Sequence, residues 1–402
     1  MPKNVMKTHD RTDVLVVGGG PSGLRVAARL ARAGLAVRIF EKKSAVGENI
    51  VCTGIVGREV FARFGLDTGS VIQEIQDVRL VSPCGTAVTY RHPRAFACVV
   101  DREAFDARLA ADAVSAGAVL SLGFRVDDIA TGRDGIRATV KTVGGGTARV
   151  SAAMAVIASG VDSALQKKAG LSYPSDFLMG GQAEAPRRQP GITTLFFGRS
   201  VAPGAFAWSV PAGPVSRVGL LTRKDPRTYL RKLLAANVGP ESVRLDDVPV
   251  RTKAVAQGLL ARTTGERVLS VGEAAGQIKT TTGGGISFGL LCADIAAEAI
   301  IRCFDESAFG AAALAGYESR WRSMLQKEIV VGARTRKMCA RLSDRQVEGL
   351  FRLARTDGIM PIIRETADFD WHSGLIFALL ERLSFMGFFR TVKDSLEYRN
   401  LS

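Results

Sequence analysis

Asp13-Val-Leu-Val-Val-Gly-Gly-Gly-Pro-Ser-Gly23 is the stretch that decides the fold. The run 13–17 is apolar after its aspartate, the pattern of a short parallel strand buried on both faces. It feeds directly into Gly18-Gly-Gly20-Pro-Ser22-Gly23, a GxGxxG turn. Residues 24–33 have helical composition and stop at Gly34, a residue suited to the left-handed turn that closes a helix. A second strand, 36–40, delivers Glu41. Each part has a physical reason. Gly18 permits the tight turn, Gly20 lets backbone N–H groups approach a pyrophosphate, and Gly23 lets helix and strand pack closely. Glu41 stands where an acid can accept a hydrogen bond from a ribose hydroxyl. Together these features predict a dinucleotide site, and the turn by itself does not choose between FAD and NAD(P).

Two later segments favour FAD. Arg267-Val-Leu-Ser-Val-Gly-Glu273-Ala-Ala-Gly276 again runs from a strand to an acid. Thr280-Thr-Thr-Gly-Gly-Gly285-Ile286 then opens a long apolar helix over 287–301. Glu273 is suited to a ribityl hydroxyl, and the N–H groups around Gly284, Gly285 and Ile286 to the flavin ring or a phosphate. The second segment, Asp101-Arg102-Glu-Ala-Phe-Asp106, starts a helix with an arginine in its first turn. Arg102 is either a cofactor contact or a solvated helix-end charge. Ala155-Val-Ile-Ala-Ser-Gly160 reads as a further strand ending in a small-residue turn.

This combination resembles the flavoprotein monooxygenase superfamily. Three details resemble, within it, the geranylgeranyl reductase family in its digeranylgeranylglycerophospholipid reductase-like form. They are Val51-Cys52-Thr53-Gly54-Ile55, Phe206-Ala-Trp208-Ser-Val-Pro211, and the run from Gly272 to Ile286. The middle one is similar to the family's YxWxFP motif, with Phe206 for Tyr and Val210 for Phe. The resemblance covers roughly residues 12–300 and implies an α/β fold. Its parts would be a Rossmann-like, p-hydroxybenzoate hydroxylase-like FAD-binding domain, an antiparallel β-sheet cap and a helical C-terminal region. The FAD-binding domain is expected over 12–75, 95–165 and 255–303, the substrate or cap domain over 76–94 and 166–254, and the helical region over 304–402. In the cap, a hairpin over 78–90, strands at 193–197, 205–210 and 218–222 and a helix over 225–237 follow from alternation and turn residues.

Carried onto this chain, the family's FAD contacts fall on Gly18, Gly20, Ser22 and Gly23 in the first turn and on Glu41 at the ribose. Cys52 and Thr53, with Ile55 beside them, would lie near the isoalloxazine. Arg102 would touch the phosphate or ribityl region, and Val126, at the end of a strand over 120–126, the adenine. Glu273 takes the place of the family's usual Asp and is one methylene longer, while Gly285 and Ile286 would lie under the flavin. Phe206 lacks the hydroxyl of the family's Tyr. The implied activity is saturation of C=C bonds in a polyprenyl (geranylgeranyl) chain on a lipid, a diphosphate, or a quinone or pigment. Such a reaction needs a hydride for one carbon, a proton for the other, and a long apolar chamber that excludes water. Cys52 is the candidate proton donor or substrate-positioning group, because an ordinary thiol is mostly protonated at neutral pH. The alternative is a small buried hydrophobe. Phe206 and Trp208 alternate with small residues and so share one strand face, a candidate substrate wall with Pro211. The rival enzymatic reading is an FAD-dependent monooxygenase (hydroxylase) or flavin halogenase acting on a hydrophobic substrate.

Composition bounds the remaining classes. The 402 residues are 47% hydrophobic and 23% charged, enough to build large cores and unlike a disordered chain. Lys and Arg number 54 against 39 Asp and Glu, a net charge of +15 that favours an anionic partner. Nucleic acid is set aside, since no helix-turn-helix, zinc finger or interleaved aromatic-basic stripe is present. Six cysteines without a CxxC pair and three histidines argue against a metal site. The polar opening and the lack of a spanning apolar run imply a cytoplasmic protein, peripheral on the inner face of an anionic membrane. The basic residues from Arg320 to Arg345, Arg334, Arg336 and Lys337 among them, form either a solvated face or a dock for headgroups, a pyrophosphate or an acidic electron-transfer protein. The apolar tail 371–389 is either an interfacial helix or core. With one dinucleotide fingerprint, the electron donor is expected to be NADPH bound transiently or reduced ferredoxin.

Overall fold

The computed structural model describes residues 11–142, 144–186, 191–238, 248–356 and 359–385. Its first sheet is built around Arg11–Val17, which runs parallel between Val37–Glu41 and Thr147–Ile157. Strands apolar through their length belong inside such a sheet, and Val16, Ile39 and Val156 are fully buried. Val119–Leu122 extends the sheet on one side, and Val268–Ser270 with Thr264–Gly265 on the other. The single strand expected over 120–126 is broken. Gly123, at φ 73°, turns the chain there and donates its N–H to Lys43 O at 2.7 Å. Only a residue without Cβ adopts that conformation at low cost. Phe124–Gly132 therefore leaves the parallel sheet and forms an antiparallel hairpin with Gly135–Thr142.

Three helices lie on the other layer. Pro21–Arg32 packs against both Arg102–Ser115 and Ile286–Asp305. Gly23 is required there, because a Cβ would run into the Gly18 carbonyl. Arg25, almost fully buried, joins the first and last of these helices. Its Nε and Nη2 donate to the two Asp294 carboxylate oxygens at 2.7 and 3.0 Å, and Nη1 donates to Phe64 O at 3.0 Å.

The cap is a seven-stranded sheet ordered Arg251–Gln257, Asp176–Pro186, Val215–Thr222, Phe206–Ala212, Thr193–Phe197, Asp77–Val81 and Ala87–Arg91. All neighbours are antiparallel save one. Thr193–Phe197 and Asp77–Val81 run parallel, so the all-antiparallel expectation is corrected at that joint, where two separated stretches of chain meet. The edge strand Arg251–Gln257 and its neighbour Asp176–Pro186 were not anticipated. Alternation sorts the faces. Ala183, Ala207, Val218 and Leu220 pack outward under Leu230 and Leu234 of the helix Pro226–Val238, close to the expected 225–237. Leu178, Trp208, Val210 and Leu221 face inward, toward the three-stranded sheet of Ile55–Gly57, Ala97–Val100 and Val71–Ile75.

The chain after 305 is helical, as expected: Ala311–Cys339, Asp344–Thr356, Ile359–Thr366 and Ser373–Phe385. Its basic row is not one solvated face. Arg320 and Arg322 pair with Glu298 and Glu318, Lys327 lies over the Phe377 ring, and Arg336 is buried. Leu380 and Leu383 of the tail are also buried, and Trp371 packs on Phe288; Phe388 and Phe389 lie outside the described residues. Among the described residues no helix is long and apolar enough to cross a membrane.

The Arg25–Asp294 pair generates a stability test. Asp294→Ala leaves a buried guanidinium without its carboxylate and is expected to lower unfolding free energy by about 3 kcal/mol. Urea denaturation of the two proteins measures this; equal midpoints would contradict it.

Candidate active site

The two glycine turns meet at one place because the helices that follow them are packed side by side. Gly20 precedes Pro21–Arg32 and Gly285 precedes Ile286–Asp305, and neither helix start is capped by a side chain. Bare amino ends of this kind bind anions through backbone N–H groups and the helix dipole. Ser22 is the spacer between them: a Cβ on Gly272 would lie 2.5 Å from its Oγ, and one on Gly289 would also collide with it. Its hydroxyl thus packs into the second turn. A Cβ on Gly20, by contrast, would meet nothing within 4 Å. The open backbone at Gly20, next to an uncapped helix, fits the pyrophosphate of a dinucleotide.

Glu41 ends its strand beside the turn. Its Oε2 accepts from Gly19 N at 2.7 Å and its Oε1 from Lys43 N at 3.0 Å, so the carboxylate fixes the turn as well as facing the nucleotide side. Val126 has its side chain in a core cluster with Phe40 and Ile157, which leaves its backbone for any adenine contact. Glu273 lies near the small-residue turn at Gly160. Its carboxylate is already engaged: Lys253 Nζ donates to Oε2 at 2.6 Å, and Ala256 N to Oε1 at 3.4 Å. Both partners belong to the cap strand Arg251–Gln257, so the second acid also joins cap to core.

Arg102 is not a solvated helix-end charge. Its guanidinium, 11% exposed, donates to both oxygens of Asp106 at 2.9 Å. Burial alone would lower its pKa, but Asp106 and then the Cys52 side chain outweigh that effect and hold it above its ordinary value. Cys52 therefore sits within reach of a buried cation. Its Sγ also accepts from Gly54 N at 3.3 Å. The loop around it is clamped from the cap. Gln182 Nε2 donates to Cys52 O at 3.0 Å, and Arg217 Nη1 donates to Thr53 O at 2.8 Å and Val100 O at 3.0 Å. Gly54, at φ 74°, has no room for a side chain, since a Cβ would lie 2.6 Å from Arg217 Nη1.

Above this loop Phe206 and Trp208 share the inward face, their ring centroids 5.8 Å apart. Trp208 lies over Gly219, its partner on the neighbouring strand, where a Cβ would come within 2.5 Å of the indole. Pro211, by strand alternation, stands on the opposite face with Ala207. A further segment closes the second glycine loop from the C-terminal side. Lys279 Nζ donates to Asp370 Oδ1 at 2.8 Å and Phe369 O at 3.1 Å, and lies 4.2 Å from the Phe369 ring centroid. His372 bonds Thr281 and Phe369 O, and burial together with Lys279 holds its pKa below the ordinary histidine value.

A family model described as an FAD binding domain matches residues 11–181. The digeranylgeranylglycerophospholipid reductase of Methanocaldococcus jannaschii is 30% identical over 357 residues, 85% of this chain and 90% of that protein. The chain belongs to the geranylgeranyl reductase family. It is an FAD-dependent oxidoreductase. The solved structure of a geranylgeranyl bacteriochlorophyll reductase-like protein from Thermoplasma acidophilum aligns with a TM-score of 0.82 at 21% identity, covering 96% of this chain and 99% of that one. A p-nitrophenol 4-monooxygenase from Pseudomonas putida aligns at 0.71 and 20% identity, over 89% and 97%. These two likenesses establish the fold, p-hydroxybenzoate hydroxylase-like in its FAD-binding part.

Sequence reading missed Gln182, Arg217, Lys253 and Lys279. A signal existed for the first three: each is a polar residue at an inward position of a cap strand, which is costly unless it has a partner. The cradle itself yields a direct test. Gly20→Val is expected to fold with wild-type stability as the apoprotein yet retain FAD at least a hundredfold more weakly. Flavin absorbance after gel filtration and apoprotein melting separate the two effects; normal FAD content in this variant would overturn the placement.

Proposed function

We propose that this oxidoreductase saturates carbon–carbon double bonds of a polyprenyl chain of the geranylgeranyl type. The observation that carries the reading is the inward face of the cap sheet, an apolar strip of Phe206, Trp208, Leu178 and Leu221 adjoining a clamped thiol loop. An isoprenoid chain presents only methyl, methylene and alkene groups, so its recognition needs a dry wall rather than hydrogen bonds. Gly219 lies in the same face, and its missing side chain leaves the room that the Trp208 indole fills.

Bound FAD supplies the hydride chemistry. Gly18, Gly20, Gly23 and the N–H groups at Gly285 and Ile286 would hold its phosphates and ring, with Ser22 setting the spacing. Glu41 would take the ribose and Val126 the adenine through its backbone. Arg102 would neutralise negative charge in the ribityl or phosphate region. Glu273, tied by Lys253, would reach a ribityl hydroxyl only by sharing its carboxylate. Thr53 would present its carbonyl-locked backbone beside the ring. Cys52 would deliver the proton to the second alkene carbon, regaining it from solvent. Phe206 and Trp208 would line the wall, and Pro211 would stiffen its strand from behind. The nucleotide-binding sheet, the cap and the C-terminal helices would act as cofactor, substrate and closing units. Electrons would come from NADPH or reduced ferredoxin, and the basic surface would allow peripheral contact with an anionic membrane.

The test is anaerobic. The protein is reduced with dithionite, excess reductant is removed, and a geranylgeranyl lipid or geranylgeranyl diphosphate is added. Return of the oxidised flavin spectrum, with product heavier by two hydrogens per turnover, supports the reading. A flavin that stays bleached with every prenyl compound and reoxidises only with oxygen overturns it in favour of a hydroxylase or halogenase. Cys52→Ala is expected to lower kcat by about 10²–10⁴ with KM little changed, measured in the same assay. An unaltered kcat would remove the thiol from proton delivery.

A further inference from the structure

The inward face of the cap changes character at one end. Strand register places Leu178 and Val255 side by side in the apolar strip, with Asp176 and Gln257 paired one step further along the same face. Arg223 follows Leu221 at that end. Asp176 Oδ1 accepts from Arg223 Nη1 at 2.5 Å, and Lys337 Nζ lies 3.9 Å from Asp176 Oδ2. Arg336, on the last turn of Ala311–Cys339, completes the group. Two cations therefore pair with the one carboxylate, and a third stands near enough to feel both Arg223 and Asp176 without a hydrogen bond from its Nε or Nη2.

Arg336 is the telling member. It is only 6% exposed, and its Nε and Nη2 are sealed from solvent without any hydrogen-bond acceptor. The Thr335 hydroxyl beside it and both amide atoms of the buried Gln257 are likewise unpartnered. A buried guanidinium with idle donors is costly, because its desolvation is opposed only by a carboxylate already paired with Arg223. Burial and the neighbouring Arg223 hold its pKa below the ordinary arginine value, yet such a side chain keeps its proton at neutral pH. The helix also packs against the second glycine loop. A Cβ on Gly332, one turn before Arg336, would lie 2.6 Å from Thr280 Oγ1, so the group stands about 6 Å along the helix from the second glycine loop.

We propose that Arg336, Arg223 and Lys337, with Gln257 and Thr335, form an anion subsite that takes the phosphate head of an amphiphilic substrate whose apolar chain lies along the Phe206–Trp208 strip. This rests on the prenyl-reductase reading of that strip. A phosphate fits better than a carboxylate, since its oxygens can meet several donors from different directions and a guanidinium binds them in pairs. A free diphosphate and a phospholipid head both supply this chemistry.

The test uses the FAD-loaded protein, so that the cofactor's own cradle is filled, and the Arg336→Met and Arg223→Met variants, with FAD content checked in each. Inorganic diphosphate is titrated calorimetrically. Wild type is expected to bind it and each variant to bind at least tenfold more weakly. Without ligand, Arg336→Met should melt at or above the wild-type temperature, because it removes a poorly compensated buried charge; a purely structural arginine would give a lower one. Anaerobic flavin reoxidation is then compared for geranylgeranyl diphosphate, digeranylgeranylglycerol phosphate and geranylgeraniol. The preference of wild type for phosphorylated over neutral chains should fall at least tenfold in Arg336→Met, and the compound whose preference collapses identifies the source of the phosphate. Diphosphate binding equal in wild type and Arg336→Met, or an unchanged preference, overturns the proposal. Arg336-dependent diphosphate binding with no reoxidation by any prenyl compound would instead uphold the subsite and overturn the prenyl reading.

Discussion

Two helix amino ends must be brought together without any side chain covering them, and the rest of the molecule follows from that constraint. Pro21–Arg32 and Ile286–Asp305 start more than 250 residues apart in the chain, yet Ser22 touches both Gly272 and Gly289. Their free N–H groups would be a liability in a buried place unless an anion met them, and a polyanionic cofactor would do so. The bidentate Arg25–Asp294 pair holds the two helices in register behind this opening. Gly23 lets the first helix approach its strand, and glycine at 272 and 289 leaves room for the serine.

The cap is coupled to this cradle by polar contacts that pass through the centre of the molecule. Lys253 reaches Glu273, Gln182 reaches Cys52 O, and Arg217 reaches Thr53 O and Val100 O. Each comes from an inward position on a cap strand. The cap therefore fixes the backbone of the thiol loop directly. Its aromatic strip and the thiol loop are held by the same sheet, an arrangement suited to a reacting chain that itself offers nothing to hydrogen-bond. The C-terminal region completes the enclosure differently, through the buried Lys279–Asp370 pair and the Phe369 ring beside the second glycine loop. Asp370 and Phe369 also crowd Gly57, so one short segment touches both the strand that follows the Cys52 loop and the second glycine loop.

Charge is distributed in this protein with more order than the net value of +15 suggests. Several of the basic residues that look like a continuous surface row are spent on local pairs, as Arg320 and Arg322 are on Glu298 and Glu318. Arg336 belongs to the same row and is instead turned inward, one helical turn from Gly332, where the helix presses against Thr280 and Thr281. A helix long enough to span from the rear of the nucleotide sheet to the cap can thus carry surface charges on one side and a buried cation on the other.

The sequence alone determined the strand, glycine turn and helix at the start of the chain, because their requirements are local. A strand, a glycine turn, a helix and an acid must follow one another within a few turns of chain, and Gly18, Gly20, Gly23 and Glu41 could be read by spacing. The motif around Cys52 and the Phe206–Trp208 strand were legible through family resemblance, and alternation correctly put both rings on one face. Contacts between distant strands were not legible. Nothing local to Lys253, Gln182 or Arg217 says which loop it meets, since that depends on strand order in a sheet assembled from five separated stretches. Val126 and Gly123 show the same limit on a smaller scale: periodicity gave one strand, and a single positive φ divided it into two. Tertiary structure likewise decided that Glu273 is shared with Lys253 and that Arg102 and Arg336 are buried. Burial of a charge is set by what packs around it, and for these residues the packing comes from elements far away in the chain.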